Sequence, residues 1–267
     1  MSKKTENKKE KQITPLFLEF VNDEIPTQTI NENQEIIKNI NSHYSLWNEL
    51  AIIIKETYKT NRGEYEGYDS PMQFLNAESF TTIDASSILA AHGYYRQAIS
   101  LLRCWFENSL YGIYYNDHRV EFSQSYYDDE PSLNFKKDFM EYIFKFPNFK
   151  NFDKELAKRW NKNEKFKSFN KWMSGLYTEL SAYIHGRGFW RSEILNIKLD
   201  EHPRKYNKES FEFWYDCYRN VFVIITISFL LYNPKLLNKY PSKRKKILIK
   251  LTPDCAEILV KTFGVKF

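Results

Sequence analysis

An all-α fold is what this sequence predicts, and three observations support it. The 267 residues include only 8 Gly and 9 Pro, which favours long helices over many short strands joined by tight turns. Hydrophobic residues make up 42% of the chain and aromatic residues 17%, so rings alone can fill much of a core. Apolar residues also recur at helical spacing in several segments.

The first predicted helices lie on either side of a loop. Glu35–Lys59 is amphipathic, with apolar side chains near helical spacing. Thr60–Met72 contains glycines and a proline and therefore predicts a loop. Phe80–Ala91 predicts a second helix, and Gly93 suits the left-handed position that follows a helix end.

Tyr95–Tyr115 has the clearest helical pattern. At about 100° per residue, one narrow arc contains Ala98, Leu101, Leu102, Trp105, Ser109 and Ile113. The opposite arc contains Arg96, Arg103, Glu107 and Tyr114. The next stretch, His118–Asn134, is polar and acidic and predicts a loop.

Two further long helices are predicted in the second half of the chain. Ser168–His185 ends at Gly186 and Gly188, and Lys208–Tyr232 ends before Pro234. The apolar stripe of the first is Phe169, Trp172, Met173, Leu176, Leu180, Tyr183 and Ile184. Its polar stripe is Ser174, Thr178, Ser181 and His185. Shorter helices are predicted at Phe135–Phe146, Asp153–Trp160 and Pro253–Thr262, with an irregular segment at Phe189–Tyr206.

The predicted domain organisation is simple. Residues 1–13 form a basic, disordered tail, and residues 14–267 form a single helical domain with its core at 76–232 and a C-terminal appendage at 233–267. Val221–Leu231 is the longest apolar run, but its 11 residues are too few to cross a bilayer, which takes about 20. This run therefore predicts a buried core helix and no membrane partner.

Charge and cysteine usage indicate a cytoplasmic protein. The charged N-terminus lacks the apolar stretch of a secretory signal. The three cysteines are odd in number and far apart, as expected for reduced thiols. The net charge is +5, and the lysine runs Lys3–Lys11 and Lys243–Lys246 either keep the chain soluble or attract phosphates.

Sequence motifs for common cofactor chemistry are absent. The chain has no P-loop, no GxGxxG after a predicted strand and no GxSxG elbow. Its His and Cys residues also lack the spacing of metal ligands. We therefore expect neither a cofactor nor a metal.

Two pairs of residues are candidates for chemistry. His185 and Arg187 lie at the predicted helix end ELSAYIHGRG, where a His can act as a general base or acid and an Arg can neutralise a phosphate. The same His could instead only stabilise the helix end. Arg103 and Glu107, at i and i+4, form a paired ionic site if their face is buried and an ordinary surface pair if it is exposed.

Two segments resemble bacterial HEPN-like helical proteins. GYYRQAISLLRCWFENSL, residues 93–110, is similar to a helix of that family with an Arg and a Glu four residues apart. LYTELSAYIHGRG, residues 176–188, is similar to a later helix that ends in Ser-x-x-x-His-Gly. The resemblance implies an antiparallel helical bundle, often dimeric, that acts in phage defence, toxin–antitoxin pairs or abortive infection.

The resemblance also implies a catalytic motif, and this sequence differs from that motif. Active members cleave RNA without metal, using an Arg that precedes a His with four to six residues between them. Only His185 matches that motif, because the expected Arg positions hold Thr178, Glu179 and Leu180. Arg103 or Arg187 would then have to reach the site in three dimensions.

Two functions follow from these observations. One is a defence or toxin-type protein that binds or cleaves RNA, with His185, Arg187, Arg103 and Glu107 as the candidate catalytic residues. The other is a non-catalytic sensor or accessory module of a defence complex, which works as a homodimer or with a partner protein. DNA binding through the basic C-terminal linker is a third alternative.

Overall fold

The computed structural model describes residues 24–58, 70–127, 133–160, 167–184, 205–239, 241, 245–246, 249 and 253–263. All regular structure in these ranges is helical, which confirms the predicted all-α fold. The first helices are α1 (Glu24–Glu32), α2 (Gln34–Thr57), α3 (Pro71–Ala91), α4 (Tyr95–Asp117) and α5 (Arg119–Tyr127). A π-helical turn (Phe135–Met140) then leads into α6 (Glu141–Ile143), α7 (Pro147–Arg159), α8 (Phe169–Ile184), α9 (Lys208–Tyr232), α10 (Lys235–Lys239) and α11 (Pro253–Phe263).

The start of α3 corrects one predicted boundary. The helix begins at Pro71, nine residues before the predicted Phe80. Ser70 caps it by accepting a hydrogen bond from the backbone N–H of Gln73 at 3.3 Å, and a proline suits the first helical position. Pro71, one of the residues that predicted a loop, is therefore the first residue of a helix.

Helix α5 corrects a second prediction, because it occupies part of the predicted loop His118–Asn134. Its sequence is mostly polar, but Phe122 is 4% exposed and packs against the rings of Phe74 and Tyr115. The Tyr114 hydroxyl also donates to Glu121 at 2.7 Å, so the packing of Phe122 and this hydrogen bond hold a segment that has no apolar periodicity. The sequence also did not predict α1, and α7 begins at Pro147 rather than Asp153.

Helices α3 and α4 form a closely packed antiparallel pair. Small residues line their contact: Ser79 and Ser109 share a hydrogen bond of 3.2 Å, and Ser86 Oγ donates to the carbonyl oxygen of Ala98 at 2.7 Å. A methyl group at Gly112 would stand 3.3 Å from Cα of Met72. The two backbones can approach this closely because these side chains are short.

The turn between α3 and α4 contacts the residues before α9. Gly93 has φ of 82°, in the left-handed region that favours glycine, as its position after a helix end predicted. A Cβ added there would lie 2.8 Å from the carbonyl oxygen of Lys205. Nearby, the Tyr95 hydroxyl accepts a hydrogen bond from the backbone N–H of Asn207 at 3.1 Å, and Asn207 caps α9.

Helix α9 is the most buried helix and has the predicted bounds. Every residue from Val221 to Leu231 is buried, so this apolar run is a core segment as predicted. Its Trp214 donates an indole N–H to Ser86 at 3.1 Å, which joins α9 to the α3–α4 pair. Within the described ranges, no helix combines the length and the apolar character needed to cross a membrane.

His43 on α2 is buried in the core without a hydrogen-bond partner on either ring nitrogen among the described residues. Its ring stacks on Phe222 at 4.7 Å and on Tyr218 at 5.8 Å between centroids. Burial, reinforced by the charge of Arg219, lowers the pKa of His43 from 6.5 to about 4. The imidazole is therefore neutral in the folded protein at neutral pH.

This burial predicts a loss of stability in mild acid. The unfolded chain binds a proton at His43 below pH 6.5 while the folded chain does not until about pH 4, so stability falls as the pH drops through that window. From pH 7 to pH 5 this residue alone should remove about 2 kcal/mol of unfolding free energy. Urea denaturation of the wild type and His43→Phe at both pH values measures the difference. Equal pH dependence in the two proteins would contradict it.

Candidate functional site

The polar face of α4 lies against α8, and the two helices run antiparallel. Arg103, in the middle of α4, contacts Tyr177, and Arg96, near the start of α4, contacts Tyr183 at the end of α8. The residues on this face are those that the helical pattern placed on the arc opposite the apolar one. The face is therefore covered by a second helix rather than open to solvent.

Arg103 and Glu107 form the ionic pair that their spacing predicted. The Nε and Nη2 atoms of Arg103 both donate to Oε1 of Glu107, at 3.1 and 2.9 Å. The side chains are only 15% and 20% exposed, respectively. The pair is thus a partly buried site, not an ordinary surface pair.

Tyr177 completes this cluster from the side of α8. Its hydroxyl accepts a third hydrogen bond from Arg103 Nη2, at 3.0 Å, and the guanidinium carbon lies 5.0 Å from the ring centroid. The ring also stacks on Phe135 of the π-helical turn, at 4.1 Å between centroids. Three elements therefore hold Arg103 in one orientation.

The charges in the cluster keep Arg103 protonated. Burial lowers the pKa of Arg103, but Glu107 and Tyr177 outweigh that effect and raise it above its ordinary value. Burial and the Glu107 charge raise the pKa of the Tyr177 hydroxyl. The site is therefore a fixed cation with a neutral phenol beside it over the physiological pH range.

Arg96 is a site residue that the sequence reasoning did not select. Its Nε donates to the carbonyl oxygen of Tyr183 at 3.4 Å, in the last turn of α8. Carbonyl groups at a helix C-terminus lack partners within the helix, and Arg is well suited to bind them. The sequence did contain one signal for Arg96, which is that it lies on the same arc of the helix as Arg103, two helical turns earlier.

The hydroxyl groups on α8 are used within the helix. Thr178 donates to the carbonyl oxygen of Ser174, and Ser181 donates to that of Tyr177. These bonds leave the polar stripe with less capacity to bind a ligand. Ile184, which the pattern placed on the apolar stripe, is 41% exposed, because that stripe ends at Tyr183.

The other two candidate residues, His185 and Arg187, lie outside the described residues, immediately after α8. The structure thus brings Arg103 and Glu107 together and adds Tyr177 and Arg96 to them. In the described part of the chain, His, Cys, Asp and Glu do not gather in groups of three that could hold a metal ion.

The partial burial of Arg103 predicts a strong energetic coupling to Glu107. Glu107→Gln leaves the guanidinium without its counter-charge and should cost about 1–3 kcal/mol of unfolding free energy. Arg103→Met in the same chain should recover part of that loss. Urea denaturation of the two single variants and the double variant gives the coupling energy.

The exposed pair Lys208 and Glu212 on α9 is the matched control. It has the same i, i+4 spacing, but its N–O distance is 4.0 Å and its side chains are 64% and 50% exposed. The same cycle there should give only about 0.3 kcal/mol. Equal couplings at the two sites would show that the burial of Arg103 has no energetic role.

Comparisons with known proteins connect part of this site to a family. Residues 69–173 match DUF5677, a family of unknown function. The matched stretch includes α3 and α4, and with them Arg96, Arg103 and Glu107, but it stops before Tyr177. No curated protein and no solved structure matches the chain. The chain is therefore similar to DUF5677 over α3 to the start of α8, a likeness that assigns no activity.

Proposed function

We propose that this protein is a HEPN-like defence or toxin-type protein that binds RNA at the α4–α8 face and cleaves it without metal. The observation that supports the proposal best is the bond from Arg96 to the carbonyl oxygen of Tyr183. Tyr183 precedes His185 by two residues. Two residues of chain span at most about 7 Å, so we assign Arg96 as the arginine that works with His185.

Arg96 would replace the arginine that the resemblance leads one to expect before His185. The positions that should hold it carry Thr178, Glu179 and Leu180. A long guanidinium side chain from α4 can supply the same charge from a different place in the sequence. Arg187 stands two residues after the His and offers a second positive charge for the phosphate.

The chemistry would be an in-line transfer within the RNA. His185 takes the proton of a ribose 2′-hydroxyl while that oxygen forms a bond to the adjacent phosphorus. The bond from phosphorus to the 5′-oxygen breaks, and that oxygen takes up a proton from water as it leaves. Arg96 stabilises the extra negative charge on the phosphoryl oxygens in the transition state.

Arg103 and Glu107 would then be positioning residues. Both Glu107 and Tyr177 bind the guanidinium of Arg103, which fixes α8 against α4. The side chain is largely committed to these partners, so we assign it the support of the α8 end rather than contact with the scissile phosphate. This role differs from the catalytic role that the sequence suggested.

The second candidate is a non-catalytic interaction module, and the same observation about Arg103 favours it. A largely buried guanidinium that is bound by a carboxylate and a phenol is typical of a structural contact. In that case α4 and α8 form a rigid platform for a second copy or for another protein of a defence complex.

The nuclease proposal predicts that wild-type expression slows growth and degrades cellular RNA. Arg96→Ala and His185→Ala should each lower the cleavage rate about 100-fold or more, because each removes a group that acts in the transition state. Growth curves and electrophoresis of total RNA measure the effect. Lys208→Ala is the charge-matched control, since that lysine is exposed on α9, and it should cleave like the wild type.

The outcomes separate the two candidates. Harmless expression and intact RNA with both the wild type and His185→Ala would contradict the nuclease. Light scattering of the purified chain then tests the module, which requires a stable dimer or a co-purifying partner. A monomer without a partner would contradict that function as well.

A further inference from the structure

A cavity of about 450 Å³ lies between α7 and α11, where neither the sequence motifs nor the proposed function places a site. Its lining is Asn151, Lys154, Glu155, Arg159, Ile258 and Lys261. Four of these six side chains are charged. A cavity of this size matches those that bind small molecules, so its donor groups indicate the class of ligand.

Two of the cations that line the cavity both bind one carboxylate, that of Glu257, which is not itself part of the lining. The Nη1 and Nη2 atoms of Arg159 reach the two oxygens of Glu257 at 2.8 and 2.6 Å. Lys261 Nζ adds a third contact to Oε1, at 2.8 Å. A two-pronged guanidinium together with an ammonium group is the donor set by which proteins hold phosphate oxygens.

The Glu257 carboxylate binds these donors in a position where an anionic ligand could displace it. The Glu257 side chain is 52% exposed, so it can leave these donors for solvent. Hydrogen bonds from Arg159 and then Lys261 lower the pKa of Glu257 to about 2, so it competes as a full anion at neutral pH. A phosphate with two negative charges can take over the same donors.

Further positive charge surrounds the cavity. Glu155 pairs with Lys158 at 2.5 Å, which leaves Lys154 without a carboxylate at salt-bridge distance among the described residues. Lys154 is exposed and lines the cavity, and Lys150 is exposed one turn earlier on α7. These two lysines would attract an anion toward the cavity.

The apolar contact between α7 and α11 keeps these donors in place. Leu156 on α7 is fully buried, and Ile258 on α11 is 2% exposed while also lining the cavity. The two helices therefore pack through buried side chains below the charged groups. Arg159 and Lys261, from different helices, can meet on one anion because of this packing.

We propose that the α7–α11 cavity is a phosphate-binding site and that Glu257 is its built-in competitor. The ligand class is a phosphate monoester or diphosphate, carried either by a small molecule or by the end of a nucleic acid. In the ligand-free protein the Glu257 carboxylate occupies the donors; in the bound protein it turns to solvent and the phosphate takes its place. The site shares no residue with the α4–α8 face, so it goes beyond the proposed function.

The test measures direct binding to the full chain by titration calorimetry at low salt, with pyrophosphate as the probe. Glu257→Gln should bind about tenfold tighter than the wild type, because it removes the competing charge and keeps the side-chain shape. Arg159→Ala should lose binding. Glu212→Gln on α9 makes the same charge change at an exposed ion pair and should leave the affinity unchanged.

A second probe distinguishes the source of the phosphate. The probe is a short single-stranded RNA with a 5′-phosphate, compared with the same RNA without the phosphate. If Glu257→Gln raises the affinity only for the phosphorylated RNA, the ligand is a nucleic-acid end. A gain with pyrophosphate alone indicates a small-molecule ligand. If Glu257→Gln gains with neither probe, the proposal is wrong, even where Arg159→Ala fails to fold. Because Arg96 and His185 are untouched in these variants, RNA cleavage should persist whichever result is found.

Discussion

Ser86 donates its hydroxyl to the Ala98 carbonyl oxygen and accepts the indole N–H of Trp214, so one buried group joins α3, α4 and α9. The bond forms only because α3 and α4 approach closely, with Gly112 against the backbone of Met72. This contact fixes the rotation of α4 about its own axis. Its apolar face is then committed to the core, and its charged face must meet whatever helix covers it.

Helix α8 covers that face, and a buried charge there needs partners. Glu107 and Tyr177 provide them for Arg103, and the carbonyl oxygen of Tyr183 provides one for Arg96. The contacts of Arg103 and Arg96 are thus a consequence of the packing. The α7–α11 cavity differs, since Lys261 is exposed, Arg159 is partly exposed, and both bind the Glu257 carboxylate.

The sequence predicted those features of the structure that depend on residues close together along the chain. The bounds of α9 and the Arg103–Glu107 pair came from periodicity and i, i+4 spacing. It did not find α5, which is held by contacts of Phe122 and Glu121 with α3 and α4. Nor could it find Arg96, Tyr177 or the pairing of Arg159 with Glu257, because those contacts join residues far apart in the sequence and depend on how the helices pack.

The turn at Gly93 has a consequence for how the protein could vary. Gly93 lies against Lys205, and the nearby Arg96 holds Tyr183, so the chain leaves α8 and returns to α9 beside the same turn. The two described ends of this connection, at Tyr183 and Lys205, therefore lie beside one turn of the scaffold. A substitution that moved the Gly93 turn would displace both ends together, so this single turn sets where the chain leaves α8 and where it rejoins α9.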